Sequence, residues 1–596
     1  MFLTLTKRSL YRIAVSVFIA VLFFSCQKEL SIENGGVVVT PPDLSTKVKS
    51  SVSGFVTDEN DAPVLGASVQ FGTSSTTTDK YGYFEVRNVQ VVQTAAVVSI
   101  SKAGYFKGIK TYMARENKSA FFRIKLIPKT TAGTINASTG GNVTLSNGLS
   151  ISLPAGAVVN ATTNAAYTGT VNVAAYHINP EAADLDRIMP GDLRGINTDG
   201  GLKMLKTFGM AAIELTGTSG ELLQIAPGKK ATLTIPIPAT LSGDATASIP
   251  LWYFDESNGL WKEQGSAVKT GNAYVGDVSH FSYWNCDYPI TDPVYFDCTV
   301  VDATGNPIPG IGVWIYYSNG LITGSHGITD SSGYVGGMIP GNYNLIVKVI
   351  DYNCPGAVVF SQNFTTTNLA VHFGNITVNA VSSVAVLTGS LTNCSNQPVT
   401  NGYVLLHIGN QYVRQNVVSA NGNFSFNQMI CGSPNVDIIG GDVVTAQESA
   451  IINTTLVSGT NNLGTIQACG TSVAEFFNYT ANAVSTSFIP PAGYMYQMPD
   501  SFQINSTSVY ASAANSFVQV GFSNVGIGSG SSQAMTFFQS TQTNQTTISG
   551  TIPVHITEYG SVGQYMAGNF AGTVTGTAPP NTTYAISGNF RVKRNY

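Results

Sequence analysis

Charge is what this chain has least of: 10% of its residues are Asp, Glu, Lys or Arg, against about 25% in an ordinary soluble domain. The 29 basic and 33 acidic residues leave a formal net charge of −4. With no basic stripe and no RNA-binding motif, nothing prepares the chain for a phosphate backbone, and no nucleic-acid partner is expected. Cysteine is scarce too. The seven cysteines include no CxxC pair, which excludes a zinc ribbon or a thioredoxin-type motif. No GxSxG elbow and no oxyanion loop occurs. The acidic turns "DENDA" (58–62) and "TDKYGY" (78–83) lack the D-x-[DN]-x-[DN]-G calcium spacing and read as ordinary turns. "GSGSS" (528–532) has neither the lysine nor the strand-to-helix setting of a phosphate loop. No cofactor, no metal and no catalytic residue is therefore expected.

What the chain has is glycine, 61 residues of it, with abundant Thr, Ser, Asn and Val. Val and Thr lose rotamer freedom in helices, and Asn and Ser compete there for backbone hydrogen bonds. The expected fold class is all-β: tandem β-sandwich modules of Ig-like or transthyretin-like type. At 596 residues the chain exceeds a single core, and domains of about 100–150 residues imply four or five of them.

The N-terminus "MFLTLTKRSLYRIAVSVFIAVLFFSC" places Lys7, Arg8 and Arg12 before an apolar run from Ile13 to Phe24, then Ser25 and Cys26. A basic segment followed by a short apolar one is an export signal, too short to span a membrane. Its end resembles a bacterial lipobox, Phe24 being a loose match. The resemblance implies removal of residues 1–25 and lipidation of Cys26, and acyl chains would then hold the chain on a membrane. Gln27 is not the Asp of inner-membrane retention. Lys28 and Glu29 resemble the charged export tag of Bacteroidetes surface lipoproteins. Outer-membrane, cell-surface anchoring follows as an expectation. Residues 26–48, with Gly-Gly and Pro-Pro, read as a flexible stalk. An exported chain with six further cysteines (Cys286, Cys298, Cys354, Cys394, Cys431 and Cys469) is compatible with disulfides, their pairing left open.

One unit recurs. In residues 52–86 a strand leads to an acidic turn, Pro63, Gly66, a second strand and a "TDxxG" turn (Thr78, Asp79, Gly82). Residues 296–347 repeat it with Asp302, Pro307, Gly310, Thr329, Asp330 and Gly333, and residues 387–426 more faintly with Pro398, Gly402 and Gly422. These units resemble the carboxypeptidase regulatory-like domain, a transthyretin-like sandwich that is usually an accessory module. They imply sandwiches at 49–129, 291–382 and, divergently, 383–470. The resemblance brings no peptidase with it: "HINPE" (His177, Glu181) has the wrong spacing for a zinc site, and its Pro breaks any helical face. Between the first two units, "GGNVTLSNGLSISLPAGAVV" (140–159) and the aromatic series that ends in "VSHFSYWNCDYP" resemble a ZU-type domain and a segment of the cartilage intermediate layer protein, giving a β domain at 130–290. Residues 471–596 alternate cleanly and form a C-terminal β domain.

Two stretches look reactive. "VSHFSYWNCD" (278–287) gathers His280, Ser282, Trp284, Cys286 and Asp287. As one strand it would set Val278, His280, Ser282, Trp284 and Cys286 on one face, with residues two apart about 6.5–7 Å from each other, too far for a nucleophile and its base. "LWYFDESNGLWKEQG" (251–265) sets Asp255, Glu256 and Glu263 among aromatics, the grouping of a glycosidase cleft. "DESNG" is equally a hairpin turn. Outward-facing members of Trp252, Trp261, Tyr283 and Trp284 are the candidate ligand-contact residues. The expected function is a lipid-anchored, non-enzymatic surface scaffold for binding or adhesion, built as a rod of about five modules and recognising a glycan, a protein or a matrix ligand. The alternatives are an accessory or catalytic component of a peptidase or glycan-processing system, and a structural outer-membrane lipoprotein without an external ligand.

Overall fold

A computed structural model describes residues 41–596, apart from 291–292, 321, 352–356, 379–382, 446, 473–475, 483, 489–493, 500–505, 514–515, 561–564, 578–580 and 595–596. The signal segment 1–25, Cys26 and most of the stalk lie outside the described residues. The chain is all-β, as its composition requires. Its described helices are a four-residue turn at Leu185–Ile188 and a 3-10 turn at Ala239–Leu241.

The recurring unit folds the same way three times. In the first module the strand Lys47–Thr57 pairs antiparallel with Tyr83–Val92 and parallel with Lys118–Lys125. A second sheet, from Ser68–Phe71, Ser74–Thr77, Ala96–Ser101 and Gly108–Tyr112, packs over it. Pro293–Val301 has the same two neighbours in the third module, Tyr334–Pro340 and Val371–Thr377. So does Ser383–Asn393 in the fourth, with Asn423–Ile430 and Gly459–Ala468.

The turn chemistry repeats with it. Asp58, Asp302 and Asn393 each accept two N–H groups of their own turn through one side-chain oxygen. That closes the loop onto Pro63, Pro307 and Pro398, which bridge back to Thr57, Val301 and Thr392. The glycine of the later turn is obligatory. A Cβ on Gly82, Gly333 or Gly422 would meet the carbonyl oxygen of Val56, Val300 or Leu391 at 2.3, 2.4 or 2.3 Å, and each glycine has φ of +70° to +75°.

The second module, Thr131–Pro289, is a 13-stranded system. One core lies around Leu149, Ile151, Phe208, Leu233, Tyr274 and Trp284. A second, around Trp252, Phe254, Trp261 and Tyr283, also takes in Phe106, Ile109 and Ile127 of the first module. The fifth module, Phe476–Lys593, is a ten-stranded sheet curled over Phe477, Phe488, Val520, Phe522 and Phe590.

The modules do not form a rod. The first module packs on the second through that shared core, and on the fourth through Phe55, Tyr83, Tyr403, Leu405 and Ile439. Arg115 stacks on Tyr334 of the third module, 3.9 Å from the ring centre. Strand Ser74–Thr77 lies beside Val484–Phe488 of the fifth. Residues 41–596 thus form one compact unit gathered around the first module. The linear reading failed because the first module carries apolar side chains on its outer faces, and these are buried only by modules that come later in the chain.

Candidate functional site

The run 278–287 is a corner rather than one strand. Ala273–Val278 ends at its first residue, residues 279–282 turn, and Tyr283–Pro289 begins a new strand. That strand lies between Leu202–Thr216 and Ser248–Asp255 and is buried on both faces. Trp284 and Cys286 enter one core, and Tyr283 enters the other. His280 rests edge-on against Tyr253, ring centres 4.7 Å apart, and its carbonyl accepts the Trp284 indole N–H at 2.9 Å. Burial lowers the His280 pKa. Ser282 donates to the Tyr283 carbonyl, so His280 and Ser282 make no nucleophile–base pair.

The four aromatics expected to face a ligand face inward. Trp252, Trp261 and Trp284 are 0% exposed and Tyr283 is 6% exposed. The reason is chemical as well as steric: each polar edge has a backbone partner. The indoles of Trp252 and Trp261 donate to the carbonyls of Asp287 and Asp192, and the Tyr283 hydroxyl donates to that of Lys107. A buried aromatic with its donor satisfied gains its full apolar burial, about 1.5–3 kcal/mol.

The acids of 251–265 are equally occupied. Asp255 caps its hairpin by accepting from the N–H and hydroxyl of Ser257 and from the Asn258 amide. Glu256 pairs with Lys107 at 2.6 Å, and Glu263 accepts the Thr198 N–H at 3.1 Å. Glu181 accepts from Thr240, while His177 Nε2 is buried without a partner. Among the described residues no group of three His, Cys, Asp or Glu is placed to hold a metal ion.

Two cysteine expectations are corrected. Cys286 and Cys298 are free thiols, each sealed in a different core, one beside Trp284 and Leu251 and the other beside Val313 and Ile315. Burial pushes both thiols up, Cys298 to about 12. Cys394 and Cys469 form a disulfide with Cα atoms 4.8 Å apart. They follow directly on Asn393 and Ala468, the last residues of two parallel strands paired in register, which brings the sulfurs together. Cys431 is also disulfide-bonded. Cys354 lies outside the described residues.

The concave surface is elsewhere, and the corner 281–283 forms part of its wall. A groove of about 730 Å³ runs between the first two modules, within the roughly 300–1,000 Å³ range of ligand pockets. Lys102, Lys107 and Lys129 line it from one side, Glu214 and Glu256 from the other. Lys107–Glu256 and Lys129–Glu214, at 2.6 and 2.7 Å, tie its two walls together. Lys102 has no carboxylate partner among the described residues. Its ammonium donates to the Leu65 carbonyl at 2.8 Å, and burial lowers its pKa. Leu222 stands 53% exposed at the rim.

A second polar cluster joins the first and fourth modules. The Arg414 guanidinium lies between the faces of Tyr83 and Tyr403, 4.1 and 3.8 Å from their centres, and pairs with Asp79. Glu448, 4% exposed, accepts from Lys80 and from the hydroxyls of Tyr81 and Tyr403. Sequence reading missed both the groove and this clasp, since neither has a local motif. One Ser–His contact also went unnoticed: the exposed side chains of Ser532 and His555 meet across two paired strands, Oγ to Nδ1 at 2.6 Å. Among the described residues no carboxylate orients that imidazole.

The arrangement defines a class, a multi-module β-sandwich protein with an inter-module groove. No family model and no curated protein matches the chain. Solved structures with local likeness include the shaft pilin SpaA from Lactobacillus rhamnosus GG, at 10% identity over 30% of this chain and 99% of that one, TM-score 0.16. The Streptococcal ancillary pilin matches at 12% identity over 38% of this chain and 93% of its own, TM-score 0.13. The Bacillus anthracis TIE protein matches at 10% identity over 70% and 50%, TM-score 0.14. Such values are too low to establish a shared role.

Proposed function

We propose that this chain is a lipid-anchored, cell-surface, non-enzymatic scaffold that binds a glycan or protein ligand in the groove between its first two modules. The observation that carries this reading is the division of labour among the side chains. The histidine, acids and aromatics of 251–287 are spent on caps, core and backbone partners. The groove beside them is open, wide and lined with paired charges, an exposed leucine and the unpaired Lys102. Hydrogen-bonding groups of both signs along the two walls suit a polar ligand held by many modest contacts. The N-terminal lipobox resemblance supplies the anchor, and the sandwich modules supply the platform.

The test is a glycan and matrix-protein array probed with the purified protein and with Lys102→Glu. A ligand bound by the native protein and lost in the variant supports the reading, and a blank array defeats it. Hydrolysis of peptide or glycoside libraries that disappears on Glu256→Ala or His280→Ala would replace it with the enzymatic alternative. Protease shaving of intact cells and membrane fractionation of Cys26→Ala test the surface position and the anchor.

A further inference from the structure

The third module leaves one side of its sandwich open. Its edge strands Ile322–Ile328 and Tyr334–Pro340 adjoin there, and the seam is open at Gly337, where a Cβ would meet nothing within 4 Å. This side faces Gly108–Tyr112 and Lys118–Lys125, edge strands of the first module, and a chamber of about 170 Å³ lies between them. Its inner wall is apolar: Phe296, Val313, Ile315, Val335 and Ile339, which belong to or pack on the core of the third module. A cavity of about 150 Å³ with such a lining takes a benzene-sized guest.

The polar part of the lining is cationic. Lys110, Arg115, Lys118 and Arg194 stand against Asp186, Asp192 and Asp330, in a chain whose net charge is −4; Arg123 turns its guanidinium to the Tyr412 carbonyl of the fourth module instead. Asp192 pairs with Arg194 at 2.7 Å, and Asp330 caps its own turn through the N–H groups of Ser332 and Tyr334. The Lys110 ammonium, 4% exposed, gives two protons to the carbonyls of Asp186 and Met189 and keeps a third, since it has three donors. Arg115 lies on the Tyr334 ring and has no carboxylate partner among the described residues.

We infer that this three-module chamber binds a small monocarboxylate with a benzene-sized apolar body, the body between the open sheets and the carboxylate against Arg115. Size and lining set the body, and the unpaired guanidinium at an electropositive wall sets the head. An ammonium head would meet like charge, and a hydroxyl head would leave Arg115 without its charged partner. The site is separate from the groove of the first two modules and stands or falls independently of it.

Three probes with one body and different heads test it by calorimetry on the full-length protein: phenylacetate, phenethylamine and 2-phenylethanol. The expected result is saturable binding of phenylacetate, at least about tenfold tighter than the other two, a gap of about 1.4 kcal/mol. Arg115→Gln should remove that preference. Gly337→Leu should abolish binding of all three. A Cβ at Gly337 meets nothing within 4 Å, so this variant fills the chamber without straining the fold, and an unchanged melting curve confirms it. Failure of all three probes to bind overturns the inference. So does equal binding of all three, or full phenylacetate affinity in either variant.

Discussion

Asp287 offers the sharpest test of how the second module is held together. It is fully buried, its Oδ2 accepts from the Asn285 amide at 2.5 Å, and its Oδ1 has no partner among the described residues. The Asn285 oxygen in turn accepts from Thr207 at 2.8 Å. No cation lies in this chain of contacts, and burial raises the Asp287 pKa well above its ordinary value. The folded state therefore holds a proton that the unfolded chain releases near pH 3.9. The stability tied to that proton is full below pH 3.9 and is lost as pH rises toward the folded pKa, at about 1.4 kcal/mol per pH unit. Asp287→Asn keeps the acceptor for Asn285 and removes the ionisation. The variant should match the native protein near pH 4 and exceed it by about 2–3 kcal/mol at pH 6. Denaturant titration followed by tryptophan fluorescence is the assay, because Trp252, Trp261 and Trp284, three of the four tryptophans, all report on this module. Stability curves that run parallel from pH 4 to 7, or a variant weaker throughout, would refute the argument.

Three further outcomes are expected. Glu448→Ala strands the buried Tyr403 hydroxyl and frees Lys80, so the contact between the first and fourth modules should weaken by about 1–3 kcal/mol, seen as faster limited proteolysis at that junction. Cys394→Ser with Cys469→Ser opens a loop of 75 residues and should lower the stability of the fourth module by about 4 kcal/mol, and reductant, which also opens the Cys431 bridge, should cost the native protein at least as much. Gly82→Ala should cost more than Gly310→Ala. Both glycines have φ near +75°, but a Cβ at Gly82 strikes the Val56 carbonyl at 2.3 Å whereas at Gly310 it meets nothing within 4 Å. Paired melting curves measure the difference.

The repeating unit was legible because its signals are local. An Asx turn, a proline five residues on, and a glycine that must have positive φ each act within a few residues of chain, so their spacing survives in the sequence. The all-β class was legible for the same reason, from side chains that individually disfavour helix. The site was not. Whether Tyr283 faces water depends on Lys107 and Phe106, which arrive from another module, and the alternation rule fails for a strand with a core on each side. The break at 279–282 had no marker, since neither Gly nor Pro stands there. Lys129 and Glu214 lie 85 residues apart, and nothing near either announces the other.

The gathering of later modules around the first has a consequence for how the molecule is made. Arg414 meets Asp79 across 335 residues of chain. At about 5–20 residues per second, roughly 17–67 s separate synthesis of the two. Throughout that interval the first sandwich carries Phe55 and Tyr83 on an open face, complete in its strands but missing its fourth-module neighbour. A nascent chain stalled before residue 400 would thus be a well-folded domain with a sticky side, and it is at this stage that a holdase or a rival copy would find it.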